Sequence, residues 1–154
     1  MNSEVVPSVI KVLYVEDDAD DVMIVTDLLQ KEGHGQTFLV VNVSTLESSL
    51  ELLKKDIFDI IMLDLNLPDS NGIDTFLSVK KDSKDTPIVV LTGASNDLMN
   101  IKLIAEGAYE CFMKLDINKA FLPVCLTLAT AKHELKRKHN LFGLKADEIS
   151  RRLK

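Results

Sequence analysis

Five short apolar runs recur at near-regular intervals along the chain: Val9–Val15, Phe38–Val43, Ile57–Leu63, Ile88–Leu91 and Cys111–Met113. Most are almost unbroken in Val, Ile, Leu and Phe, which predicts strands covered on both faces, as in a parallel sheet. The segments between them have helical spacing. Val22, Val25 and Leu28/Leu29 mark a first helix, with Gly33 as its expected stop. Ser44-Thr45-Leu46-Glu47 reads as a capping box ahead of Leu46, Leu50 and Leu53. Ile73, Phe76 and Leu77 mark a third helix, and Leu98, Ile101 and Ala105 a fourth, closed by Gly107. Pro123 suits a first helical turn, so a short turn is expected at 116–120 and the fifth helix from about Leu122. Strands alternating with helices imply right-handed crossovers and a five-stranded α/β sandwich.

Composition narrows the class without naming a function. The 154 residues, 46% apolar and 27% charged, suit one globular domain that closes its own core. A net charge of −6 argues against a nucleic-acid binder. The longest apolar stretch, Ala120–Ala131, contains a proline and two threonines and is too short to span a bilayer. The start, MNSEVVPS, lacks the pattern of a secretory signal. Two cysteines without an export signal predict reduced thiols and a cytoplasmic location.

Open α/β sheets bind their ligands beyond the carboxyl ends of the strands. The first strand ends in Glu16-Asp17-Asp18-Ala19-Asp20-Asp21, the third in Asp64, the fourth in Thr92-Gly93 and the fifth in Lys114. Parallel strands bring all four groups to one rim. Alone, an acidic run opening a helix only complements the helix dipole, and a lone strand-end Asp or Thr means little. Four strands supplying complementary groups mean more. Carboxylates at Glu16, Asp17 and Asp64 repel one another unless a cation lies among them, and hard oxygen ligands suit Mg²⁺. Asp64 is then a candidate nucleophile toward phosphorus, with Lys114 and the Thr92 hydroxyl offsetting charge on the transferred group.

These residues resemble the receiver domain of two-component response regulators. Val12-Leu13-Tyr14-Val15-Glu16-Asp17-Asp18 is similar to that family's opening strand and acidic pair. Asp64-Leu65-Asn66-Leu67-Pro68-Asp69-Ser70-Asn71-Gly72 resembles its phosphoacceptor loop, Ile88–Gly93 its fourth strand, and Gly107-Ala108 with Lys114 its fifth. The resemblance implies a flavodoxin-like doubly wound fold with strand order 2-1-3-4-5 and five helices. It implies phosphorylation of Asp64 by a sensor histidine kinase or phosphotransfer protein. It further implies Mg²⁺ held by Glu16, Asp17, Asp64 and the backbone carbonyl of Asn66, and signalling to a downstream protein target. Two positions depart from the pattern. Cys111 stands where an aromatic switch residue is usual, with Tyr109 and Phe112 nearby, and Leu115 stands where proline often follows the lysine.

Other classes fit less well. A flavin carrier needs donors and small residues after the first strand, where five carboxylates stand. An aspartyl phosphatase needs a second acid where Asn66 stands. A binding module that is never phosphorylated leaves a costly cluster of like charges without a purpose. The receiver reading covers residues 9–139, with 140–154 as a basic extension of the last helix or a linker. The chain is then a self-contained switch or the N-terminal receiver of a longer kinase or regulator. Leu128, Leu135, Phe142 and Ile149 fall seven apart, with Lys132, His139, Ala146 and Leu153 in the companion positions. This seam, weakened by Gly143, suggests a homodimer through the C-terminal helix as one option. The face of the fourth helix, fifth strand and fifth helix is the other. Residues 132–154 hold eight Lys and Arg against three Asp and Glu, while residues 1–131 carry ten against 21.

Overall fold

The computed structural model describes residues 8–31, 35–93, 96–117 and 121–153. Its main sheet has five parallel strands: β1 (Val9–Val15), β2 (Thr37–Val43), β3 (Ile60–Asp64), β4 (Ile88–Thr92) and β5 (Glu110–Met113). Their order is 2-1-3-4-5, and every pairing is parallel. Helices α1 (Ala19–Gln30) and α5 (Phe121–Arg152) cover one face, and α2 (Leu46–Lys55), α3 (Ile73–Asp82) and α4 (Asp97–Ala105) cover the other. This is the flavodoxin-like doubly wound arrangement.

Side-chain alternation along β1 shows how the two layers are filled. Ile10, Val12 and Tyr14 enter the layer with Val25, Leu29, Leu122 and Leu126. Leu13 and Val15 enter the layer with Leu53, Phe76, Val79 and Leu103. Lys11 falls on this second face near its lower edge, where Asp56 pairs with its ammonium group and the Phe58 ring lies 4.9 Å away. The three central strands are wholly buried over most of their length, as their continuous apolar runs require. The edge strands β2 and β5 are only half covered, so the two-faced burial read from their apolar content applies to the centre alone.

Several local expectations shift. β3 begins at Ile60 rather than Ile57, because the Asp59 carboxylate and amide are used on the Lys11 backbone at 2.8 and 2.9 Å and leave Ile57 in solvent. α2 is capped by Thr45, not Ser44: its Oγ1 accepts from the Ser48 amide at 3.1 Å, and Glu47 does not close a box. α4 exists, but Leu98 and Ile101 face solvent and Leu103 alone is buried. Gly107, at φ +107°, ends that helix, with its amide on the Ile104 carbonyl and Ala108's on that of Leu103. A 3₁₀ turn spans Lys114–Asp116, and α5 then runs unbroken to Arg152. Residues 118–120 and Gly33, to which the expected turn and helix stop extended, lie outside the described residues.

Candidate functional site

The C-terminal ends of β1, β3, β4 and β5 meet at one rim. Where β1 leaves the sheet, the Asn42 side-chain amide of β2 donates to the carbonyls of Tyr14 and Glu16 at 2.9 and 3.1 Å. The Glu16 amide donates to Val43 at 2.9 Å. The backbone of Glu16 is thereby fixed, and its side chain turns inward to 1% exposure. Asp17 beside it is exposed. Asp18 is spent on the helix: its Oδ1 accepts from the amides of Asp20 and Asp21, capping α1.

Asp64 ends β3 and is buried. Its Oδ1 accepts from the Asn66 amide at 3.1 Å. The chain beyond folds into a two-residue antiparallel ladder, Asn66–Leu67 against Ser70–Asn71, with Pro68 and Asp69 at the tip. Gly72 closes this loop with φ +67° and ψ −148°, a conformation open almost only to glycine, and donates its amide to Leu65 at 3.0 Å. Thr75 Oγ1 donates to the same carbonyl at 3.1 Å. Asp69 reaches across to the start of α2, where its two carboxylate oxygens accept from the amides of Leu46 and Glu47 at 2.9 and 3.0 Å. These bonds hold the Asp69 carboxyl below the usual carboxylate range.

One carboxylate oxygen each of Glu16, Asp17 and Asp64 lies within 4.8 Å of the others, a set that can hold a metal ion. Lys114, just past β5, places Nζ 2.6 Å from Glu16 Oε2, 2.8 Å from Asp21 Oδ2 and 3.1 Å from Asp64 Oδ2. Among the described residues Glu16 Oε2 meets no well-aligned donor, and the nearby ammonium charge balances it. Burial still dominates at Glu16 and, with Asp64 beside it, pushes its pKa up to about 7 against the opposing bond from Lys114. Burial alone would lower the Lys114 pKa, but bonds to Asp21, Glu16 and Asp64 raise it above the ordinary lysine value. Thr92 ends β4 on the same rim and is buried.

The rim thus collects Glu16, Asp17, Asp64, Thr92 and Lys114, all named from the sequence, together with the Asn66 backbone. Sequence reasoning passed over three others. Asp21 is the third acid on Lys114, one turn into α1. Asp69 acts far from its own loop. Tyr14 lies fully buried below the rim, its hydroxyl without a hydrogen-bond partner among the described residues and its pKa raised by desolvation and then by Glu16. A cavity of about 220 Å³ beside it is lined by Ile24, Leu28, Lys114 and Leu115 among others. An apolar-looking strand position gives no signal of such a hydroxyl. At β5, Cys111 packs toward the α4 layer, whereas Tyr109 and Phe112 lie in the α5 layer, Phe112 edge-on to Phe121 at 5.6 Å. Neither ring takes the place of the usual aromatic on the α4 side.

The fold is that of a flavodoxin-like α/β domain with an acidic rim, and comparison with known proteins gives its family. Residues 12–121 match the sequence profile of the response regulator receiver domain. The chain belongs to that family, a signalling domain rather than a conventional enzyme. It is 35% identical over 104 residues to the cell cycle transcriptional regulator CtrA of Caulobacter vibrioides, covering 68% of this chain and 43% of that protein. It is 34% identical over 104 residues to the transcriptional regulatory protein CpxR of Escherichia coli, covering 68% and 42%. The crystal structure of a CheY-like response regulator receiver domain protein from Methanospirillum hungatei superposes with a TM-score of 0.72 at 21% identity, over 84% of this chain and 99% of that one. The chain spans less than half the length of these two regulators. Exclusion of nucleic acid from net charge therefore reaches no further than these 154 residues. Among the described residues, no helix is long and apolar enough to cross a membrane.

Proposed function

We propose that this chain is a phosphorylatable switch in which Asp64 accepts a phosphoryl group from a phosphohistidine of a sensor kinase or phosphotransfer protein. The observation that carries this reading is the convergence of Glu16, Asp17 and Asp64 within 4.8 Å, with Lys114 touching the two buried members. An Asp64 oxygen attacks phosphorus, a P–O bond forms, and the P–N bond breaks with its electron pair returning to the imidazole. Glu16, Asp17, Asp64 and the Asn66 carbonyl fit Mg²⁺ by their hard-oxygen chemistry, and a bound ion would offset charge between carboxylate and phosphate. Lys114 exchanges a carboxylate contact for a phosphoryl oxygen, and the Thr92 hydroxyl donates to another. Burial of Asp64 limits the access of water to the acyl phosphate.

Phosphorylation adds about −1.5 to −2 charges and strong acceptor oxygens beside β4 and α4. Leu98, Ile101 and Ile104 already stand exposed on α4 as an apolar contact surface for a downstream protein. With Cys111 on that side, readout rests on Thr92 and the loop after β4 rather than on a moving ring. Residues 9–139 form the receiver and 140–154 a basic extension. The unpaired thiols of Cys111 and Cys125 suit a reducing compartment such as the cytoplasm. Within a longer regulator, the same switch would feed the transcriptional role that the names of CtrA and CpxR carry. Incubation with acetyl phosphate and Mg²⁺, followed by intact-mass measurement, should show one added phosphoryl group. Its persistence in Asp64→Asn, or its formation unchanged in excess chelator, would overturn the assignment.

A further inference from the structure

Helix α5 carries two apolar faces. Leu122, Cys125, Leu126 and Ala129 pack into the core. Val124, Leu128, Leu135, Phe142, Ile149 and Leu153 are each more than half exposed. At about 100° per residue, the second set forms one stripe centred roughly 150° from the first. It points away from the domain and continues along the part of the helix that leaves it. Nothing among the described residues covers it.

The charges beside the stripe indicate what can. Lys132 lies on one edge, Lys138 and Lys145 on the other, roughly 50–70° from its centre. None of the three has an ion-pair partner among the described residues, although Lys132 rests 5.8 Å from the Tyr109 ring centre. The acids of the segment sit farther round, and Glu134 and Glu148 are taken by Arg137 and Arg152 at 3.1 and 2.7 Å. A second copy fits this pattern poorly. In parallel it sets Lys132 beside Lys132 and His139 beside His139 along one edge of the seam. Antiparallel, it sets the two Lys138–Lys145 edges against each other. A bilayer surface fits poorly as well. An interfacial helix gathers its apolar residues on one broad face, whereas this stripe is narrow and the other exposed leucines, Leu141 and Leu144, lie about 110° and 170° from its centre.

We infer that the outward face of α5, from Val124 to Leu153, docks an acidic amphipathic helix of a partner protein, its carboxylates lying along Lys132, Lys138 and Lys145. Covering six half-exposed side chains and the partner's matching face hides about 1,000 Å², the lower bound for a specific interface. The docking uses no residue of the Asp64 rim and stands independently of phosphorylation there.

The test titrates the full chain with a synthetic peptide about four heptads long, leucine in the seam and glutamate on both flanks, read by anisotropy and sedimentation. A one-to-one complex is expected that weakens with salt. Leu135→Ser with Phe142→Ser should weaken it by about tenfold or more, and neither residue contacts the core, so circular dichroism and melting stay unchanged. Charge reversal by Lys132→Glu, Lys138→Glu and Lys145→Glu should move the preference to a lysine-flanked peptide. Three outcomes overturn the inference: no binding, equal binding of both peptides by the unmodified chain, or self-association that the acidic peptide does not displace. Tighter binding to phosphatidylserine vesicles than to the peptide also overturns it and assigns the face to a membrane.

Discussion

Lys114 is the residue on which the rim depends. It balances Glu16, Asp21 and Asp64 together, and two of those carboxylates are buried where water cannot replace the lost charge. Lys114→Met should therefore destabilise the metal-free protein by about 3 kcal/mol in urea unfolding. Adding millimolar Mg²⁺ should restore part of that loss, because a second cation relieves the same repulsion. A loss that ignores the metal would mean that lysine packing, not charge, supports the rim. The two thiols make a separate case at this scale. Burial, reinforced by Glu110, pushes both Cys111 and Cys125 up to about 11. The reactive thiolate is then scarce at pH 7.5, so iodoacetamide should label both slowly, and the half-buried Cys111 before the buried Cys125. Time-resolved mass spectrometry reads the order, and fast labelling of Cys125 in the folded chain would contradict it.

Among the elements, the Asp69 side chain ties the loop after β3 to the first turn of α2. Asp69 caps a helix more than twenty residues earlier in the sequence. Its folded pKa lies below the ordinary value, chiefly through the Glu47 amide and then that of Leu46. Its stabilisation is therefore present above the unfolded pKa of about 3.9 and lost as pH falls through the depressed folded value. Asp69→Ala should melt below the parent protein at pH 7, and the gap should close in strong acid. A gap constant with pH would point to turn geometry instead. The same comparison shows what the sequence could and could not disclose. The three central strands were legible because a strand buried on both faces needs an unbroken apolar run. The rim was legible because Glu16, Asp64, Thr92 and Lys114 each follow such a run directly. Asp21 and Asp69 were not, since their partners are set by tertiary placement. The buried side of α4 was less legible, because Leu98, Ile101 and Ile104 face outward while Leu103, with Met99 partly buried beside it, holds the core.

At the scale of the whole molecule, charge and packing divide at nearly the same place. The last buried side chain of α5 is Thr130, and from Lys132 the chain turns from strongly acidic to basic. Both core clusters are closed before that point. Removing the residues after His139 should shift the melting temperature by no more than about 2 °C while lowering the helical signal. A larger loss would show the extension supporting the domain. Left uncovered, the extension has only helix propensity to hold it, which is marginal for a segment of this length in water.

Seated by its first turns and free beyond them, α5 is also a pointer. The fully exposed part, from Leu135 to Arg152, is a rod roughly 27 Å long at 1.5 Å per residue. A tilt of about 6° at its root sweeps the tip through about 3 Å, half a helical pitch. Rearrangement too small to notice at the rim thus arrives at the far end as a change of register for whatever is aligned there. The arm converts angle into distance.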